Sequence, residues 1–516
     1  MPVYLPPGVY IDEIEPGPRP IEGVPTSTAA FIGETERGPV TPRLVTSYKE
    51  YQHWFGGVFG DTKFMPYAVR GFFENGGERM YVCRVTEENA SPAQAVIGNF
   101  TVRAVGPGSW GKRVYFRVTP GTTQKVGADG KLASDGFRLL LAYFSRTPSK
   151  KDLAWFDDPE SSPPPPYYEI FDDLVADETS PNYWHKLLKG NSALVELVHK
   201  DSAPPNERPE GSPASALTAN GADGTLPLDA TDFVGETNAA RAEPQGLTAL
   251  TLAPYREVAL VYAPGASVDV NRAVITHCEN LQFRFAVVDA ERSVAITNFQ
   301  PRSALQDTQY AALYYPWIAI ADPESGVRQE APAGGHVIGV YARTDSERGV
   351  FKAPANEILR GVLELLDNID DKTQHLLNPR GVNAIRQFPE RGILVWGACT
   401  LSSDPLWKYV SVRRLLIFLE RSIYEGTQWV VFEPNDDRLW TRVSDAIRVF
   451  LRTQWRLGAL LGSTEKEAFF VTCDRTTMSE NDILNGRLIC EVGVAPVRPA
   501  EFVIFRIVQN TAAAQN

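Results

Sequence analysis

Residues 255–288 read YREVALVYAPGASVDVNRAVITHCENLQFRFAVV. The apolar run Val258–Tyr262 is bounded by Pro264-Gly265, which reads as a buried strand. Ser267 suits a helix N-cap, and Val270, Val274, Ile275, Cys278 and Leu281 then recur on one helical face. Phe283–Val288 is a second apolar run of strand length. Strand, helix and strand in that order predict a sheet covered by helices. The same rhythm occurs earlier in the chain. Thr28–Gly33 reads as a strand, Ser47 as the cap of a helix through Phe55, and Lys63–Glu74 as a helix closed by Asn75-Gly76-Gly77. Met80–Val85 reads as a further strand. Downstream, Leu313–Ala321 is strand-like, Gly335–Arg343 and Asn356–Asp370 read as helices, and Ile393–Trp396 as a strand.

Between these halves the texture changes. Thr101–Val105, Arg113–Val118 and Phe137–Phe144 alternate as strands, Pro163–Pro166 is a four-proline run, and 201–226 reads as an exposed loop. The expectation is an α/β (α+β) core, residues 21–90 and 255–500, split by a β-rich inserted domain at 91–254. Late in the core, Asp404-Pro405 reads as the start of a helix to Glu425. Val430–Phe432 reads as a short strand, and Asn435-Asp436-Asp437 as the opening of a helix closed by Gly458. Phe469–Cys473 and Leu488–Val494 read as strands.

The ends differ from the core. Six prolines in residues 1–20 bracket one strand-like run, Val9, Tyr10, Ile11, Asp12, Glu13 and Ile14. A proline-punctuated strand loses ladder bonds inside its own sheet. It reads as an extended arm that lends a strand to something else. At the other end, 501–516, Phe502, Val503, Ile504, Phe505, Arg506 and Ile507 form a terminal strand before a polar tail.

The chain has 516 residues, 43% hydrophobic and 22% charged, with formal net charge −12 and 40 Gly and 39 Pro. That is a globular composition of about three domain-sized units. An acidic chain without a basic stripe gives no electrostatic reason to expect nucleic acid. No apolar run reaches about 18 residues, so no membrane insertion is expected, and the opening residues do not resemble a secretory leader. The five dispersed cysteines contain no CxxC and read as reduced, mostly buried side chains.

No catalytic constellation stands out. Gly106–Gly111 matches GxGxxG, but strand-like alternation follows where a dinucleotide site needs a helix, so a glycine-rich turn is the better reading. The six histidines form no HExxH or Cys/His cluster. His277 and Cys278 are neighbours on a helix, about 100° apart, and cannot chelate one metal together. The acidic pairs Asp157-Asp158, Asp172-Asp173, Asp370-Asp371 and Asp436-Asp437 read as solvated or helix-capping groups. No cofactor and no enzyme activity are expected.

Two sets of residues carry a family resemblance. Pro7–Ile14, Thr28–Gly33, Arg37-Gly38-Pro39 and Phe72–Gly77 running into Tyr81-Val82 form the first. Asn378–Asn383, Arg391–Ala398, Val412-Arg413-Arg414, Val431–Asn435, Asp474–Met478 and Asn481-Asp482 form the second. Together they resemble the contractile tail sheath proteins of phages, R-type pyocins and extracellular contractile injection systems, over roughly 1–90 and 255–508. The resemblance implies a subunit that polymerises as stacked, hexameric rings around an inner tube. The sheath then contracts to drive that tube through a target envelope. It implies baseplate and terminal cap proteins as further partners, assembly in the bacterial cytoplasm, and a place in a phage tail or a released particle. It implies that the arms join neighbouring subunits and that the inserted domain lies outside. It also points to a late helix as tube contact, placed at Ser479, Glu480, Asn481, Asp482 and Asn485, where Ser479 with Asp482 equally fits a simple capping box. The competing readings are an accessory baseplate or collar protein and an enzyme with a scattered site near His277 and Cys278.

Overall fold

The computed structural model describes residues 20–501 apart from 124, 127–131, 135, 201–206, 226, 236–243, 293 and 296–297. The arm residues Val9–Ile14 and Phe502–Ile507 lie outside the described residues. The described chain divides into two compact units, one of residues 26–347 with 354–410, the other of 20–25, 348–353 and 411–501.

The first unit is built on a nine-stranded sheet. Its order across the sheet is Glu357–Ile358, Gly392–Val395, Val382–Phe388, Ala311–Tyr315, Phe285–Asp289, Leu260–Tyr262, Ala29–Gly33, Met80–Arg84 and Arg43–Val45. The six strands from Val382–Phe388 to Met80–Arg84 run parallel, and the outer ones are antiparallel. Parallel strands covered on both faces must be apolar throughout. Ala29–Gly33, Met80–Arg84, Leu260–Tyr262, Phe285–Asp289 and Ala311–Tyr315 are accordingly buried at every residue. Ala30 pairs with Val261 on one side and Tyr81 on the other. Segments some 230 residues apart in the sequence are therefore sheet neighbours.

The covering helices match the sequence reading at their starts. Ser47 accepts from Glu50 N and opens Tyr48–Phe55, and Ser267 accepts from Val270 N and opens Val268–Leu281. Helix Gly334–Arg348 lies so close to Met65–Glu74 that a Cβ at Gly335 would sit 2.6 Å from the Ala68 backbone, and one at Gly339 2.5 Å from the Phe72 carbonyl. At the start of Gly334–Arg348, buried Asp289 accepts from Gly334 N at 2.9 Å and from the Tyr262 hydroxyl at 2.5 Å. Burial raises its pKa to about 7, against the pull of those two bonds. A carboxyl that binds its proton more tightly folded than unfolded loses stability as pH rises from about 4 to about 7. Asp289→Asn removes this dependence. The melting temperature of the variant, relative to the parent, is expected to climb between pH 4 and pH 7 and then level off. A constant difference across that range would contradict it.

Between Ser91 and Ala222 lie two antiparallel four-stranded sheets. One runs Tyr167–Leu174, Phe137–Tyr143, Val114–Pro120, Ser215–Ala216, the other Val195–His199, Phe100–Ala104, Ser91–Ile97, Ala219–Ala222. They bury one shared apolar cluster containing Phe100, Val102, Trp110, Phe116, Leu139 and Leu197. Residues 230–254, which the sequence reading places in the inserted domain, carry the short helices Ala230–Val234 and Gly246–Leu250. Leu247 and Leu250 are buried in the cluster of the large sheet. Part of 201–226, read as loop, is strand, with Leu217 fully buried beside it.

Three local expectations change. Asn356–Asp370 is not a helix but the strands Glu357–Ile358 and Val362–Leu365. Gly361 between them, at φ +79, takes a left-handed conformation that ends any helix there. Asp404 does cap, accepting from Leu406 N, but only a 3₁₀ turn Pro405–Trp407 follows. The chain then pairs back, with Thr400 N donating to Lys408 O, and the long helix begins at Val410. Val430–Phe432 is a turn rather than a strand: Glu433 N donates to Val430 O, and no ladder partner is offered among the described residues.

The second unit centres on the helices Val410–Gly426 and Asp437–Arg456. Asp436 caps the latter by accepting from Leu439 N, and Gly458 at φ +87 follows its end. Leu439, Trp440, Val443, Ala446, Ile447, Phe450 and Leu451 form its buried face. They pack with Leu415, Leu419, Phe469 and Val471.

Candidate functional site

The second unit contains a small two-stranded sheet, whose second strand continues into a bridge between Pro496 and Leu460. Phe469–Thr472 pairs antiparallel with Glu491–Val494, in the register Phe469↔Val494 to Thr472↔Glu491, and no third strand joins among the described residues. Phe469 and Val471 point into the unit and are buried. Phe470 (56% exposed) faces out, while Val492, opposite Val471 on the inward face, is 38% exposed at the rim. The Phe470 ring lies across Gly493, where a Cβ would be 2.1 Å from it. A two-stranded sheet is marginal in water, and unpaired N–H and C=O rows are a template for another strand. The same unit holds the start of the described chain. Ile21 packs on Gly426, Gly23 on Phe418, and Val24 N donates to Ser422 Oγ at 3.1 Å.

A second feature is an exposed apolar corner. The turn after Val410–Gly426 ends at Phe432, which is fully exposed and sits at φ +70. Asn435 ties this turn to the loop after helix Glu480–Leu484 by donating to Arg487 O, and it accepts from Trp440 Nε1 at 2.7 Å. Leu484, on that helix, is 85% exposed. The capping box at the helix start is formed: Ser479 Oγ accepts from Asp482 N, and Asp482 accepts from Ser479 N and Ser479 Oγ. These bonds hold the Asp482 carboxyl below its ordinary range. Ser479 and Asp482 are thus engaged locally. Glu480 and Asn481 are exposed, and Asn485 donates to Asn481 O at 2.7 Å. Leu484 and Phe432 escaped the sequence reading because an apolar residue scores as core by default, and only its position shows it facing out.

Phe432 holds a left-handed backbone conformation with no side-chain burial in return. Such a conformation costs a non-glycine residue roughly 1–2 kcal/mol. Phe432→Gly is expected to stabilise the isolated subunit by about 0.5–1 kcal/mol, the rest being offset by glycine's larger unfolded-state entropy. Denaturant midpoints check this, and an unchanged or lower midpoint would contradict it.

Elsewhere the candidate chemistry is otherwise engaged. His277 Nε2 lies 2.7 Å from Arg284 Nη1, and burial lowers its pKa to about 3. Burial pushes the Cys278 thiol up to about 12, so the pair offers no thiolate. Gly106–Gly111 runs into the 3₁₀ turn Ser109–Arg113, with Trp110 buried, not into an α-helix. A cavity of about 900 Å³ lies at the C-terminal ends of three parallel strands. Its charged groups are engaged with their neighbours: Lys63 pairs with Glu34, Ser109 donates to Asp223, and Arg84 to the carbonyls of Gly38 and Pro107. Among the described residues, no group of three His, Cys, Asp or Glu could hold a metal ion, and no helix is long and apolar enough to cross a membrane.

Comparison with known proteins adds a consistent pattern. Residues 239–401 match the phage tail sheath protein central domain and 402–510 the phage tail sheath C-terminal domain. A putative prophage major tail sheath protein of Pseudomonas aeruginosa (strain UCBPP-PA14) is 27% identical over 305 residues, covering 55% of this chain and 73% of the relative. The PVC sheath complex of an extracellular contractile injection system, in its contracted state, superposes with a TM-score of 0.59 at 23% identity, over 99% of this chain and 100% of that one. The contracted helical sheath of the anti-feeding prophage gives 0.57 at 24%, over 98% and 100%.

Proposed function

From the premise that the chain belongs to the phage tail sheath family, as a structural subunit of a contractile sheath, we propose how it is joined to its neighbours. The terminal segments, Val9–Ile14 and Phe502–Ile507, add strands to the open edges of the Phe469–Thr472 and Glu491–Val494 sheet of other copies. The observation that supports this is the sheet itself: two strands that no third strand joins among the described residues, with Phe470 exposed on the outward face. Backbone ladders suit such a joint, because they hold while proline- and glycine-flanked arms let the rigid units reorient. The flank Glu15-Pro16-Gly17-Pro18 is such a hinge. The subunits form stacked, hexameric rings around an inner tube, between a baseplate and a terminal cap, assembled in the bacterial cytoplasm. The exposed corner of Phe432, Leu484, Asn481 and Asn485 faces the tube, and the strain at Phe432 is kept because its ring is wanted at a contact. The two β-sheets within 91–222 act as an insertion on the outer side.

A labelled peptide of residues 1–20 tests the joint on a subunit lacking residues 1–15. Saturable binding is expected, together with its loss when the peptide carries Ile11→Pro, which removes a ladder donor. Absent binding, or equal binding by the Ile11→Pro peptide, would contradict the proposal.

A further inference from the structure

The small sheet ends on two cysteines. The register Thr472↔Glu491 carried one step further sets Cys473 opposite Cys490. Their thiols meet: the Cys490 S–H donates to the Cys473 sulfur, which holds the Cys473 thiol below its ordinary pKa and the Cys490 thiol above it. Directly opposed residues of an antiparallel pair have Cα atoms about 4.5 or 5.5 Å apart. A disulfide spans about 4.4–6.8 Å between Cα atoms. Continued by one residue, the register puts the two backbones within the span of a disulfide. The flanks are fixed as well. Thr476 N donates to Asp474 Oδ1 at 2.7 Å, and Thr477 Oγ1 donates to Ile489 O at 2.8 Å.

The other cysteines differ. Cys83, Cys278 and Cys399 are buried in the other unit, and burial raises the thiols of Cys83 and Cys278. Thiols of that kind are inert. Cys490 is partly exposed and has a partner with a lowered pKa.

We propose that Cys473 and Cys490 are an oxidisable pair that closes to an intramolecular disulfide when the protein meets a small-molecule disulfide such as oxidised glutathione. Cys490, the more exposed of the two, passes its S–H proton to the Cys473 sulfur as it attacks one sulfur of the oxidant, whose S–S bond breaks and releases one glutathione thiolate. Cys473 then loses that proton to solvent, its thiolate attacks the Cys490 sulfur of the mixed disulfide, and the second glutathione leaves as its thiolate. The protein loses two electrons and two protons, and the oxidant takes them up as two thiols. The bond ties the base of the loop 474–489, which carries helix Glu480–Leu484, and fixes the register of the strands on either side.

The test uses the full-length subunit under native conditions with oxidised glutathione, followed by alkylation in denaturant and peptide mapping. The expected result is a fall from five alkylated cysteines to three, a mass loss of about 2 Da, and a linked peptide joining Cys473 to Cys490. Cys473→Ser is expected to retain a lasting glutathione adduct on Cys490. Cys490→Ser, which keeps four alkylated cysteines and forms no link, serves if the first variant misfolds. Five alkylated cysteines after oxidation would overturn the proposal. So would a stable adduct on Cys490 in the parent protein, or a link through Cys83, Cys278 or Cys399.

Discussion

A chain lacking residues 1–15 is expected to stay folded and to form no tubes. Both halves of that result follow from where the described packing begins. Ile21, Gly23 and Val24 hold the chain to helix Val410–Gly426, so the truncation removes no packing described for the second unit. What it removes is the segment Val9–Ile14, proposed to add a strand to a neighbouring copy. Ladder hydrogen bonds contribute roughly 0.5–1.5 kcal/mol each. Losing even three of them per subunit raises the concentration needed for assembly on the order of 10- to 1000-fold. In a polymer the loss recurs at every joint. Circular dichroism and thermal melting of the truncated subunit report the fold, and sedimentation with electron microscopy reports assembly. Normal tubes from the truncated chain would remove the arm from the account; an unfolded truncated chain would show that it stabilises its own subunit instead.

The second large effect lies in the sheet. Phe31 is fully buried in the strand Ala29–Gly33, its ring edge-on to Tyr262 at 5.1 Å and to Phe72 at 5.6 Å. It joins the two halves of the sequence, since the neighbouring strands come from before and after the inserted β-sheets. Phe31→Ala opens a cavity that backbone on both sides cannot close. The expected cost is about 3–5 kcal/mol, a fall in melting temperature on the order of 10 °C. Phe470→Ala, of the same chemistry but on the outward face, is expected to stay within about 0.5 kcal/mol of the parent. Equal losses for the two variants would contradict the division between core and contact face drawn here.

Sequence made the layered core readable because its signals are local and redundant. Ser47, Ser267 and Asp436 each sit where a side chain accepts from the first helical turn, and apolar spacing then names the buried face. The failures share one cause, a local pattern whose outcome was set by a distant partner. Val430–Phe432 has strand composition but no ladder neighbour among the described residues. Lys408 pairs with Thr400 and so delays a helix that Asp404 seemed to begin. Leu247 and Leu250 lie in a stretch of insert-like composition, yet the large sheet buries them. The proposed contact surface was half legible. Polar residues around Asn481 singled out helix Glu480–Leu484 as a proposed contact, whereas Leu484 and Phe432 gave no sign of facing solvent until their positions were known. The open sheet edge was invisible for a simpler reason: a missing strand leaves no trace in the residues beside the gap.

The most direct measurement is electron microscopy of the full-length protein assembled with its inner tube. The account predicts striated tubes of one subunit type in two forms, long and narrow or short and wide, with the same number of subunits in each. A particle holding only a handful of copies, or tubes of a single fixed length under every trigger, would contradict it.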